Sequence, residues 1–153
     1  MLRISKLTDY AIIVLGYMAR EPARIYAATD LSDAVGVAVP TVSKILKALA
    51  RAEVLKSIRG AKGGYRLLSS PENISVAAVI NALEGPIALT ECGLEHDPCR
   101  QSAHCQTRSN WAVINRAIQT ALESVTLSDM AVPMAKPPEE IRIPVSHLYP
   151  LPK

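Results

Sequence analysis

Cys92, Cys99 and Cys105 are the only cysteines in the 153-residue chain, and all three fall in Glu-Cys-Gly-Leu-Glu-His-Asp-Pro-Cys-Arg-Gln-Ser-Ala-His-Cys. An odd number of thiols cannot close entirely into internal disulfides. Thiolates gathered in one segment, spaced Cys-x6-Cys-x5-Cys, are the ligands that a soft metal or an iron–sulfur cluster takes. Such sites prefer four ligands, so three cysteines leave one position for a carboxylate or an imidazole. His96 and His104 are the local candidates, with Glu95 and Asp97 behind them. A non-thiolate fourth position is easily lost or replaced, which suits a sensor. Zinc is the rival metal, because a site of three cysteines and one histidine is chemically sound and spacing does not separate the two.

The elements that must position these thiols follow from apolar periodicity. Ile4, Leu7, Ala11, Val14 and Met18 recur at helical spacing, placing a first helix over about 8–20, with Thr8 as its cap and Pro22 beyond its end. A second helix is expected over 28–35 with Leu31, Ala34 and Val35 inward and Gly36 as its stop. Pro40 opens a third, over 40–52, since a first helical turn tolerates the missing N–H. Val42, Ile45, Leu46 and Leu49 form its apolar face; Thr41, Ser43, Lys44, Lys47 and Arg51 cover the others. Strands at Val54–Arg59 and Gly64–Leu68 flank a glycine-rich hairpin tip. Ser75 starts a helix over 75–84, the cysteines occupy a loop at 85–106, and a longer helix spans about 107–125 with Trp111, Ile114, Ile118 and Val125 in its stripe. The proline-rich end beyond Met130 reads as a mobile tail.

Composition narrows the class. The apolar fraction is 49%, with no Phe and one Trp, so aliphatic side chains must fill a mostly helical core. Net charge is +3, but residues 1–67 carry 11 Lys/Arg against 5 Asp/Glu, while residues 68–153 carry 6 against 9. A basic front half joined to an acidic back half points to a polyanion-binding module with a second function attached. Arg3, Lys6, Asp9 and Arg20 interrupt any secretory segment, and no apolar run approaches a membrane span. The expected setting is the cytoplasm, where thiols stay reduced. No phosphate loop and no convergent acid–base set is present, so no enzyme is expected.

Helix, turn and helix followed by a glycine-tipped hairpin is a winged helix-turn-helix pattern. Between residues 41 and 67 stand seven cations (Lys44, Lys47, Arg51, Lys56, Arg59, Lys62 and Arg66) and one anion, Glu53. The third helix can dock through its apolar face and turn short polar and cationic side chains toward a major groove, with the hairpin offering Arg59, Lys62 and Arg66. The reading is a double-stranded DNA binder whose affinity is dominated by phosphate contacts.

Lys-Leu-Thr-Asp-Tyr-Ala near the start, the Val39–Leu49 segment, Ser-Ile-Arg-Gly-Ala-Lys-Gly-Gly-Tyr-Arg-Leu at 57–67 and the three-cysteine loop together resemble the Rrf-two family of bacterial regulators. That family includes nitric-oxide sensors and regulators of iron–sulfur cluster assembly, and the chain looks most like the regulators of SUF-type operons over residues 1–130. The resemblance implies a DNA-binding regulator with an iron–sulfur cluster, 2Fe–2S or 4Fe–4S, at Cys92, Cys99 and Cys105. It puts Thr41, Ser43 and Lys44 at base-facing positions, and Arg59 and Gly60 at the wing position that approaches the minor groove or backbone. Some members take their fourth ligand from a His three residues after the third cysteine; that position is Arg108 here, which cannot ligate. Others use an acidic residue on the partner subunit's first helix, and Asp9 matches that location.

The fold expectation is therefore mainly α with a small β-hairpin: a winged helix-turn-helix at 1–84, a cluster-binding loop at 85–106, a dimerisation helix at 107–131 and a flexible tail at 132–153. A homodimer would present two third helices to a palindromic operator. Cluster occupancy would change DNA affinity by linkage, giving a cluster-controlled repressor or activator. The alternatives are a zinc- or thiol-based regulator responding to redox state or nitric oxide and, outside that class, an iron–sulfur carrier or electron-transfer protein. The last gives no reason for a cationic third helix and wing.

Overall fold

A computed structural model describes residues 3–60, 62–94, 99–101 and 104–132. The candidate ligands Glu95, His96 and Asp97 and the proline-rich end from 133 onward lie outside the described residues.

Helix α1, Lys6–Met18, starts two residues before the expected point. Its cap is Ser5, whose Oγ accepts from the Thr8 backbone N–H at 3.3 Å. Thr8 is itself fully buried and is not the cap. Its hydroxyl instead donates to Glu84 at the far end of the domain. Helices α2, Ala28–Val35, and α3, Val39–Arg51, match the expected spans closely. Gly36 ends α2 at φ 69°, a left-handed conformation that glycine adopts without Cβ strain. The inward set of α2 differs from expectation: Ala34 is exposed, and Ser32 is buried beside Leu31. Ser32 is satisfied because its Oγ donates to the Val37 carbonyl at 2.7 Å, pinning the turn between α2 and α3.

Strands β1, Leu55–Ile58, and β2, Gly64–Leu67, form an antiparallel hairpin in the register Leu55–Leu67, Lys56–Arg66, Ser57–Tyr65 and Ile58–Gly64. Tyr26 adds a third, single-residue rung: its N–H donates to the Tyr65 carbonyl at 2.8 Å and Tyr65 N–H returns a bond at 2.9 Å. Helix α4, Val76–Glu84, is capped by Ser75, whose Oγ accepts from Ala78 N–H at 3.1 Å. Helix α5, Arg108–Glu123, follows the cysteine loop.

The span 107–131, expected as one helical unit, is broken. The chain leaves α5 at Glu123, turns, and forms a separate helix α6, Leu127–Ala131, opened by a capping box of Thr126 and Asp129. Val125 and Leu127 pair through backbone bonds with Val76 and Ile74, and α6 packs on α1. Leu127 is 1% exposed and belongs to the same core as Leu15, Met18, Leu31, Ile45, Leu46 and Leu49. The break has a physical cause: Asp129 and Thr126 cap each other at the start of α6, and Leu127 finds an apolar site against α1 and the Pro71–Asn73 turn.

Candidate nucleic-acid interface and cysteine loop

On α3, Val42, Ile45, Leu46 and Leu49 are buried as the periodicity required. Lys44, Lys47 and Arg51 are exposed, and Thr41 and Ser43 are half-buried beside them. The wing places Leu55 and Leu67 in the core, with Lys56 exposed and Arg66 half-buried. At its tip Arg59, Gly60 and Lys62 are exposed. Two wing glycines answer packing needs rather than exposure. A Cβ on Gly63 would collide with the Ile58 carbonyl oxygen, and one on Gly64 would collide with the Tyr26 carbonyl oxygen. The half-buried Tyr65 packs against the core through the rung that Gly64 permits.

Charge on this surface is uncompensated. Among the described residues the ion pair is Arg24 with Glu21, and none of the seven cations of α3 and the wing has an acidic ion-pair partner. Lys56 and Arg66 stand directly opposite each other in the ladder. Like charges at opposed positions destabilise a hairpin, so the pair costs stability unless a polyanion lies against it.

In the cysteine loop, none of the three thiols is in a disulfide, and all are half-buried. Both described ends of the loop are rooted on α5. At one end the turn Glu91–Gly93, which carries Cys92, packs on α5, and Leu89 N–H donates to Asn115 Oδ1 at 2.8 Å. The Cys92 sulfur lies 3.2 Å from the Thr90 hydroxyl. At the other end Cys105 lies three residues before the start of α5, its sulfur 3.4 Å from the hydroxyl of Thr107, the cap of that helix. Hydrogen bonding from Thr107, with the Arg108 backbone and charge adding to it, holds the Cys105 thiol below its ordinary value, so the thiolate forms more readily.

The structure does not bring every expected ligand together. Among the described residues no three His, Cys, Asp or Glu side chains lie close enough to hold a metal. His104 is exposed in the turn before Cys105. Asp9 is exposed in the first turn of α1. Arg108, at the position where a histidine would ligate, is the first residue of α5. Two positions escaped the sequence reading: Asn115, the one buried residue of α5, and Gly93, which lies against its amide. The available signal was a polar residue next to the Ile114 and Ile118 positions of an apolar stripe. Trp111 and Ile114, expected to be packed, are 37% and 42% exposed in the single chain. No described helix is long and apolar enough to cross a membrane.

The family model Rrf2, described as an iron-dependent transcriptional regulator, matches residues 4–133. The chain is 35% identical to protein rrf2 of Nitratidesulfovibrio vulgaris over 101 residues, covering 66% of this chain and 67% of that one. It is 28% identical to the HTH-type transcriptional regulator IscR of Aliivibrio salmonicida over 103 residues, 67% of this chain but only 61% of that relative's length. Among solved structures it is similar to CymR, the global cysteine regulator of B. subtilis, with a TM-score of 0.66 and 30% identity over 86% of this chain and 97% of that one. It is also similar to T. potens IscR, with a TM-score of 0.62 and 26% identity over 84% and 85% of the two chains. A winged-helix architecture and a family match over nearly all of the described residues agree, and the chain belongs to the Rrf2 family of DNA-binding transcriptional regulators.

Proposed function

We propose that this chain is a cytoplasmic, homodimeric regulator of iron–sulfur cluster assembly genes whose operator affinity is set by a cluster held at Cys92, Cys99 and Cys105. The observation that carries this reading is the loop itself: three half-buried cysteines outside any disulfide, on a segment rooted at both ends on α5. The donor set fits an iron–sulfur cluster in kind, being soft and sulfur-rich, with a non-thiolate fourth ligand to be supplied from elsewhere. The described thiols are not already gathered, so drawing them together is coupled to loading. When bound, a cluster supplies an oxidant-labile centre that ties several chain positions together. Asp9, exposed on α1, offers a carboxylate to the loop of a second subunit.

The chain's own residues then do the remaining work. Lys47, Arg59 and Lys62 bind phosphates, while Thr41, Ser43 and Lys44 reach base edges at the start of α3, with Gly60 letting the wing backbone come close. The exposed Trp111 and Ile114 on α5 form the two-fold contact, so that two α3 helices read a palindrome. Rearranging the loop on α5 shifts the contact and with it the spacing of the α3 helices, which is the linkage that regulation needs.

Anaerobic purification tests the reading, with iron, sulfide and zinc assays followed by operator titration of the loaded and stripped protein. Bound iron and sulfide with different operator affinities for the two forms are expected. Asp9→Ala should weaken loading, and Cys99→Ser should abolish the visible chromophore. Stoichiometric zinc without sulfide, or equal affinities, overturns the proposal. Zinc without sulfide, or no metal at all, would favour a second reading, a regulator sensing thiol chemistry. The Cys105 sulfur beside Thr107 at the start of α5 and the likeness to CymR support it.

A further inference from the structure

Helix α5 buries one residue, and that residue is polar. Asn115 is 8% exposed on the face of α5 that meets the cysteine loop. Its Oδ1 accepts from Leu89 N–H at 2.8 Å. Its Nδ2 is buried and has no hydrogen-bond partner among the described residues. A desolvated donor left unpaired costs free energy that a leucine at the same position would not incur. Gly93 is fitted to this amide: a Cβ there would collide with Asn115 Nδ2 and press on its Cγ and on the Ala88 methyl. Asn115 therefore grips the chain on both sides of Cys92, at Leu89 before it and at Gly93 after it, and turns its unused donor toward the residue next to that cysteine.

We propose that Asn115 is the positioning residue for Cys92 and that its Nδ2–H donates to a sulfur held at Cys92 once the loop is loaded with iron and sulfide. This rests on the cluster reading above. It explains both anomalies together: a buried amide where an aliphatic residue would pack, and a glycine in the Cys92 turn whose missing side chain admits that amide. Donors to ligating sulfur stabilise its negative charge, raise the reduction potential of the centre and slow ligand loss. Asn115 thereby sets how readily the sensor is reduced and how long it holds iron.

The test reconstitutes full-length protein anaerobically with ferrous iron and sulfide. It reads three quantities: the midpoint potential by spectroelectrochemistry, the rate of chromophore loss in a chelator, and the melting temperature of the stripped protein. Asn115→Asp keeps the acceptor for Leu89 and removes the donor; Asn115→Ser removes the amide without placing a charge in the core, and serves if the aspartate variant does not fold. Both should shift the midpoint to lower potential and lose iron roughly ten-fold faster, and Gly93→Ala should do the same by displacing the amide. Gln119→Ala, on the exposed face of α5, should match wild type. Variants that melt lower when stripped yet load with wild-type midpoint and loss rate would show a purely structural amide and sink the inference alone. Wild-type protein that takes up no iron and sulfide would sink the cluster reading and the inference with it.

Discussion

Single residues carry much of what distinguishes this domain, and Gly64 is the sharpest case. The carbonyl of Tyr26 occupies the space a Cβ would need, so a side chain at 64 must push β2 away from its third rung. Gly64→Ala should cost about 2 kcal/mol, within the range for overpacking a tight contact; urea denaturation checks it, and an unchanged midpoint would show that the rung yields freely. Glu84 acts at the same scale. The Thr8 hydroxyl, with the Ser5 N–H behind it, donates to its carboxylate and holds it below its ordinary value of 4.5. A carboxyl whose folded-state value is depressed adds stability that is fully present above its unfolded value and is lost as pH falls through the folded one. Wild type should therefore be more stable than Thr8→Val at neutral pH, with the gap narrowing below pH 4.5 in denaturation curves taken across pH. A gap that stays constant with pH would mean that the threonine packs but does not hold the carboxylate charged.

At the scale of elements, α6 decides how the cysteine loop is tied to the DNA-binding domain. The segment after α5 returns to the core through Leu127, and its backbone pairs with the residues entering α4. Helix α5 is thus held by its contacts with α4 and with the Glu91–Gly93 turn, and through α6 to α1 at its finish. A change of loop arrangement acts on a helix anchored to the same body as α3. Leu127→Ala should lower stability by about 3 kcal/mol, as for a fully buried leucine, measured by equilibrium unfolding of the whole chain. A loss below about 1 kcal/mol would mean that α6 is only loosely docked.

Over the whole molecule, charge is arranged for a polyanion at a cost in stability. Seven cations on α3 and the wing have no acidic ion-pair partner among the described residues, and Lys56 faces Arg66 across the hairpin. Phosphates would offset that repulsion. Replacing both residues by alanine should lower the slope of log affinity against log salt by roughly 2 for operator and non-operator DNA alike, while the free protein melts no lower than wild type. An unchanged slope, measured by fluorescence anisotropy across salt concentrations, would remove this pair from the interface. At the same scale, Trp111 and Ile114 remain exposed on α5 of the single chain, the apolar area on which the proposed dimer depends.

How much of this was legible depended on the range of the interaction. Local signals placed α1 to α5 and the hairpin within about two residues, because apolar spacing, Gly36, Pro40 and Ser75 act over one or two turns of chain. The cationic face and the three cysteines were likewise readable as residue types at a spacing. The burial of Thr8 and Ser32, the exposure of Ala34, the return of α6 and the grip of Asn115 on Gly93 were not. Each depends on a partner remote in sequence or on which face a neighbour leaves open: Glu84 for Thr8, Ile74 for Leu127, Leu89 for Asn115. A short amphipathic segment such as 127–131 carries too few residues for periodicity to declare it, and a lone asparagine in a helix looks solvated until another segment covers it. Residue chemistry and local periodicity therefore determined the class of protein and the inventory of its site. Tertiary packing decided which of those groups are held, and by what, because burial and hydrogen-bond satisfaction exist only once distant segments meet.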